Sequence, residues 1–227
     1  MPRFLILRLD GPMQAWGTHT YEDFRPSNNF PTRSALLGLL GACLGLERHD
    51  VAAQTQLAGS VEFSVRLDNK IARPGRDAIV EKRAQKMPDF HTVLNARKVD
   101  GSKNEFPIVS RREYLFDAAF TVAVSCKPDA SIELARIAEA VRQPCYTPSL
   151  GRRSCPIARP LFDSEVDAPD GKSALNATPV PGGLIYSESV ISERPLRLRD
   201  VPIQGRSRQF ATRMAYLHTQ PQEPPCS

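Results

Sequence analysis

Apolar and polar positions along this chain follow two periods, and those periods predict its elements. Residues 3–9 hold Phe4, Leu5, Ile6, Leu7 and Leu9 in a run dense enough to predict a buried strand. The run breaks at Gly11-Pro12-Met13-Gln14-Ala15-Trp16-Gly17, which has the residues of a loop. A helix is predicted from Thr32 or Ser34 to Leu46, because Pro31 and two hydroxyl residues mark its start. Glycines 38, 41 and 45 each cost this helix up to about 1 kcal/mol relative to alanine. Their presence predicts that another element, a sheet before any other, approaches the helix backbone closely. Asp50 is placed to cap a short second helix that runs to Leu57.

Val61, Phe63, Val65 and Leu67 then alternate with Glu62, Ser64 and Arg66, the pattern of a half-buried strand. Another strand is predicted over 120–124, and a helix over 131–142 with Ile132, Ala135, Ala138 and Val141 on one stripe. Strand, helix, strand, strand, helix needs one more strand to complete a split βαββαβ unit, and 157–162 is the segment assigned to it. Residues 69–110 interrupt this order with little periodicity and many cations, among them Lys70, Lys82, Arg83, Lys86, Arg97, Lys98 and Lys103. A connection this long inside a compact domain predicts a projecting arm. Beyond Asp163 prolines and glycines break the pattern, and short strands at 184–186 and 195–198 predict a small β appendage. The expected organisation is an α+β core over 1–162 that includes the insertion, followed by a β-rich appendage and tail over 163–227. The proline-rich end, 221–227, is expected to fray.

An apolar fraction of 41% across 227 residues is enough for an ordinary packed core. A net charge of +5 points mildly to an anionic partner, so the placement of the arginines matters more than their sum. The five cysteines (Cys43, Cys126, Cys145, Cys155 and Cys226) form no CxxC pair, which predicts free thiols in a reducing compartment. The four histidines are scattered with no metal-binding spacing, so neither a metal nor another cofactor is expected. No apolar run approaches the roughly 20 residues that span a bilayer. The expectation is a cytoplasmic protein with no membrane partner.

Several residues have the chemistry to hold a phosphate backbone. Arg152 and Arg153 follow Gly151 in a loop that begins at Tyr146-Thr147-Pro148; guanidinium forks match phosphate geometry. The same pair also fits a solvated turn. Arg33 stands at a helix start, where free amides attract anions, or it pairs with a carboxylate. Trp16, with Met13 and Gln14, is either a stacking surface for an unstacked base or a cap on the core. His91 lies amid cations and is a structural histidine or a general base for RNA cleavage; Tyr114 and Tyr146 are open to the same two readings. No G-x-S-x-G elbow, phosphate-binding P-loop or dinucleotide fingerprint is present. Motif chemistry alone stops at an RNA-binding α+β protein.

The same blocks carry a family resemblance over nearly the whole chain. Gly11-Pro12-Met13-Gln14-Ala15-Trp16-Gly17, Phe30-Pro31-Thr32-Arg33-Ser34 and its helix, His91-Thr92-Val93-Leu94, Arg112-Glu113-Tyr114-Leu115, Tyr146-Thr147-Pro148 and Leu150-Gly151-Arg152-Arg153-Ser154-Cys155-Pro156 resemble the CasD subunits of type I-E CRISPR effector complexes, in the RAMP superfamily. The resemblance implies a ferredoxin-like (RRM-related) core with an inserted β-hairpin thumb. It implies a non-catalytic subunit of Cascade that holds the five-prime handle of the CRISPR RNA and contributes to antiviral defence. Partners would be that RNA, the backbone CasC and large CasA subunits, and target DNA through the complex. RNA contacts would fall at Met13, Gln14, Trp16, Arg33, His91, Arg97, Arg112, Tyr146, Arg152 and Arg153. In type I-E systems CasE cleaves the precursor RNA. A related subtype without CasE uses its CasD-like protein, which keeps a metal-independent endoribonuclease as the alternative.

Overall fold

The computed structural model describes residues 1–18, 20, 23–72, 79–179, 182–190, 194–205 and 209–219. The first strand, β1 (Arg3–Asp10), is followed by four two-residue strands: β2 (Met13–Gln14), β3 (Trp16–Gly17), β4 (Phe24–Arg25) and β5 (Ser27–Asn28). Helices α1 (Arg33–Leu44) and α2 (Val51–Ser60) come next, then β6 (Val61–Leu67), β7 (Lys70–Ala72) and β8 (Ile79–Glu81). A long hairpin, β9 (Gln85–Val93) and β10 (Ile108–Phe116), precedes β11 (Ala119–Cys126), α3 (Leu134–Arg142) and β12 (Phe162–Asp167). The chain closes with α4 (Gly171–Asn176), β13 (Leu184–Ser187), β14 (Pro195–Pro202) and β15 (Phe210–Thr219).

Seven strands form one sheet in the order β12-β1-β11-β6-β13-β15-β14, with every neighbouring pair antiparallel. The molecule is therefore a mixed α/β protein with mostly antiparallel sheets. On one face Leu5, Leu7, Leu9, Phe63, Val65, Phe120, Val122 and Val124 pack against Leu36, Leu37 and Leu40 of α1 and Ile137 and Val141 of α3. On the other face Phe4, Ile6, Ala123 and Ile185 pack with Ala174 and Leu175 of the short α4. A strand buried on both faces reads as an unbroken apolar run, which is what β1 shows.

The predicted helices form, the third over Leu134–Arg142 and not from 131, and side-chain caps fix the starts of the first two. Thr32 accepts from the Ala35 amide at 3.3 Å, and Gly45 ends α1 at φ +73. Asp50 caps α2 as expected, and that helix continues to Ser60. Two expectations need correcting. The strand placed at 157–162 forms instead over Phe162–Asp167. Pro156 and Pro160 interrupt the earlier segment, which touches β1 through single bonds from Arg8 N to Leu161 O and from Ala158 N to Asp10 O. The glycines of α1 do not receive a sheet either. A Cβ on Gly38 would meet nothing within 4 Å, and one on Gly41 would reach only side-chain atoms of Gln54 and Leu57.

The arm is a β-structure whose root reaches further into the fold than the sequence suggested. β9 and β10 pair from Val93↔Ile108 to Gln85↔Phe116, so β10 runs past Ser110 into the core, where Tyr114 and Leu115 are buried. The smaller β7–β8 pair precedes it in the chain as a separate two-stranded sheet, and the arm cations Arg73 and Arg76 lie outside the described residues. β12, which starts at Phe162, forms one edge of the seven-stranded sheet beside β1, and β13 to β15 continue the same sheet at its opposite end. The boundary expected at 162/163 thus runs through one hydrogen-bonded layer. The tail 221–227 also lies outside the described residues.

Candidate nucleic-acid interface

Two of the motif loops dock on each other. Ala15 N donates to Leu150 O at 3.0 Å. Gly11 fits where any Cβ would strike the Pro156 carbonyl, and Gly151, at φ +91, fits where a Cβ would strike the Ala15 carbonyl. Only glycine tolerates both that conformation and that approach. Arg152 leaves this junction and spans to two further segments, donating to Glu113 O and to Arg25 O, each at 3.1 Å. Its guanidinium lies 4.7 Å from the Tyr114 ring centroid, a cation–π contact. Arg152 is half-buried and fixes the loop; Arg153 beside it is exposed.

The docked loops form one wall of a cavity of about 760 Å³. Thr18, Thr20, Arg25, Arg152 and Gly151 line one side, Thr32, Ser34 and Ala35 from the start of α1 the other, and Phe210 closes an end. A second cavity of about 1,040 Å³ shares Ser34 and Phe210 with the first and runs along α1 past Leu37, Gly38 and Gly41 to Tyr146. The glycine side of α1 therefore borders open space. Tyr146 is 45% exposed and donates to Glu47 Oε1 at 2.6 Å. That hydrogen bond, with the charge on Glu47, raises the phenol pKa and keeps the hydroxyl protonated.

Other expected contacts serve the scaffold. Trp16 is fully buried, edge-to-face with Phe120 at 6.3 Å, and its Nε1 donates to Gln14 Oε1 at 3.1 Å. Gln14 is also fully buried, and its amide donates to Leu9 O and Ala118 O. Neither side chain can stack on a base or reach a phosphate in this arrangement, and Met13 is half-buried beside them opposite Phe116. Arg33 is likewise buried. It pairs with Glu188 and donates to Ala58 O and Val61 O, while its own amide donates to Asp200. A carboxylate, not a ligand anion, meets this helix start.

His91, Arg112 and Arg97 belong to the long hairpin. His91 Nε2 lies 3.1 Å from the Tyr114 hydroxyl and 2.9 Å from Asp89 Oδ2. Arg112 donates to Ser110 Oγ at 3.1 Å, and Arg97 is exposed at the distal end, bridged to Lys103. Tyr114 is only 2% exposed, under Arg152. The structure therefore puts Arg152 and Tyr146 in two cavities that adjoin at Ser34 and Phe210, places His91 and Arg112 at the hairpin, and buries or half-buries Met13, Gln14, Trp16 and Arg33 in the scaffold. Sequence reading passed over Thr18, Thr20, Arg25, Ser34 and Phe210. Ser34 lay inside a matched block, but nothing in the linear order brought residue 34 to residue 210. Among the described residues no group of three His, Cys, Asp or Glu side chains could hold a metal ion. No helix among them is long and apolar enough to cross a membrane.

Comparison with known proteins places the chain in a family. The family described as CRISPR-associated protein (Cas_Cas5) matches residues 4–216. The CRISPR system Cascade subunit CasD of Escherichia coli (strain K12) is 48% identical over 221 residues, 96% of each chain. A chain of a CRISPR RNA-guided surveillance complex superposes with a TM-score of 0.73 at 29% identity, covering 95% of this chain and 89% of that one. A crystal structure of a Cas protein gives a TM-score of 0.63 at 27% identity, over 95% and 93%. Matches of this length and identity show that the chain belongs to the Cas5 family of CRISPR-associated proteins.

Proposed function

We propose that this chain is a non-catalytic, cytoplasmic RNA-binding subunit of a type I-E Cascade complex, in which it holds the five-prime handle of the CRISPR RNA. Its RNA would lie in the groove that begins at Arg152, Arg25, Thr18 and Thr20 and passes Ser34 and Phe210 toward Tyr146. The joining of the two motif loops to the start of α1 around one open cleft is the observation that carries this reading. Hydroxyls, backbone amides and guanidinium forks suit a bent phosphate backbone, and Tyr146 offers an exposed ring to a base. Arg153 would add a phosphate contact at the rim. Met13, Gln14, Trp16 and Arg33 would position the walls.

In the same reading β1, α1, β6, β11, α3 and β12 form a ferredoxin-like core, supported by the order β12-β1-β11-β6 with antiparallel neighbours. The β9–β10 hairpin is its thumb, with His91, Arg97 and Arg112 facing RNA or the adjoining backbone CasC subunit; CasA and target DNA would meet the protein within the complex. The endoribonuclease alternative draws on the His91–Tyr114 contact, but the phenol is buried and its hydroxyl is already engaged by the imidazole. The purified chain, incubated with labelled repeat RNA, is expected to bind without cutting. Thr18→Glu and Arg153→Ala should each weaken binding by about tenfold while leaving the melting transition in place. Site-specific cleavage lost in His91→Ala or Tyr114→Phe would replace the binding role with the nuclease.

A further inference from the structure

The proposed RNA groove reaches the C-terminal strands only where β14 ends and β15 begins, at Pro202 and Phe210, and leaves the rest of one sheet face unused. On the α4 side, Ile185 of β13 belongs to the apolar cluster, and Ile185 stands opposite His218 of β15. Directly opposed residues in a ladder share a face, as do alternate residues of one strand. His218, Tyr216, Met214 and Thr212 therefore lie on that side, with Pro195, Arg197 and Arg199 of β14 opposite the last three. Arg197, Arg199 and Thr212 are exposed, Met214 is 45% exposed, and Tyr216 is half-buried.

This face has one sign of charge. The only acidic residue of β13, β14 and β15 is Asp200, which is buried on the α1 side, where it accepts from Arg213 and the Arg33 amide. Arg197 makes no hydrogen bond or ion pair among the described residues, and Arg199 uses Nε alone, to Phe210 O at 3.0 Å. Lys172 of α4 adds a third cation: together with burial, it lowers the His218 pKa. Charged residues on an outer strand can serve only to block edge pairing. Here Pro195 and Pro202 already remove backbone donors near both ends of β14. Two arginines on one sheet face, about 6.8 Å apart along the strand and beside an aromatic ring and a thioether, fit another task. Guanidinium groups take phosphates, and a ring set in a sheet takes bases without regard to sequence.

We propose that the open face of β14 and β15 binds single-stranded DNA, with Arg197 and Arg199 on phosphates and Tyr216 and Met214 against bases. The choice of DNA rests on the proposed function, because a guide that pairs with one strand of a duplex leaves the other unpaired. The test is anisotropy of labelled oligothymidylate with the full chain, run in parallel with labelled repeat RNA. Arg197→Ala/Met214→Ala, which leaves the Arg199–Phe210 contact in place, is expected to weaken oligothymidylate binding about tenfold or more and to lower the salt slope by about 0.7, while repeat-RNA affinity stays within about twofold. Thr212→Glu, at an exposed position, should give the same selective loss if the double variant fails to fold. Oligothymidylate binding that is absent in wild type, or equal in wild type and variants, overturns the proposal. So does a double variant that binds DNA normally but fails to join its partner subunits, because the face would then dock protein. If repeat RNA is not bound while the oligothymidylate response holds, the handle reading fails and this surface stands.

Discussion

Single residues in this protein divide by whether they build the cleft or face into it. Trp16 illustrates the difference: of its two readings, a stacking surface or a cap on the core, the structure takes the second, with the indole sealed against Phe120 and hydrogen-bonded to Gln14. A lone tryptophan contributes most by burial, and sequence alone does not say which loop folds back over the core. Arg33 was ambiguous for a similar reason, since its partners Glu188 and Asp200 lie more than 150 residues away. Gly151 was legible as a residue that permits close approach, although what approaches it is the Ala15 carbonyl of its own chain. Gly151→Ala should therefore do more than add a methyl. Its left-handed conformation alone costs about 1–3 kcal/mol in a non-glycine residue, and the loop must also move off Ala15. Denaturant melts should show that loss and RNA affinity should fall with it, whereas Gly59→Ala, with nothing within 4 Å of the new Cβ and outside both cavities, should leave RNA affinity nearly unchanged.

Among the elements, those with a buried face were readable and those without were not. The bounds of β6 were predicted correctly, but not its half-buried character: Val61, Phe63, Val65 and Leu67 face the larger core cluster, while Ser64 and Arg66 on the other face are buried too, with Arg66 paired to Asp68. β9 has no fully buried residue, so no period marked it, and its segment was expected only as an arm. β10 joins the two regimes: Ile108 and Val109 are about half exposed, while Tyr114 and Leu115 are in the core. The hairpin can thus be shortened only above its root. Joining His91 to Ser110 through a short turn, in place of residues 92–109, keeps the paired residues from Gln85↔Phe116 to His91↔Ser110. A cooperative melting transition should survive in that variant. Assembly with partner subunits should not, because Leu94, Val99 and Phe106, all strongly exposed, go with the tip. Loss of cooperative melting would instead place the tip in the folding unit.

For the whole molecule, the continuous sheet joins what the sequence divided. The proline- and glycine-rich stretch after 163 reads as a boundary, because composition registers backbone breaks and not hydrogen bonding between distant strands. β13 nevertheless pairs directly with β6, and Phe30 stacks on Tyr186 at 3.8 Å between ring centroids. Arg33 fixes α1 to this extension: its guanidinium meets Glu188 just after β13, and its amide meets Asp200 on β14. Arg213 on β15 holds the same two carboxylates. Removing one partner of such a buried pair leaves charge without compensation, a loss of about 3–5 kcal/mol. Arg33→Ala is therefore expected to lower the denaturation midpoint strongly in the free protein, before any RNA is added. If Arg33 gripped phosphate instead, the same substitution would leave the free protein stable and reduce only RNA affinity and its salt dependence. Melts of the variant with and without repeat RNA separate the two cases. A midpoint unchanged in the free chain would return Arg33 to the binding surface and detach the C-terminal strands from the stability of the core.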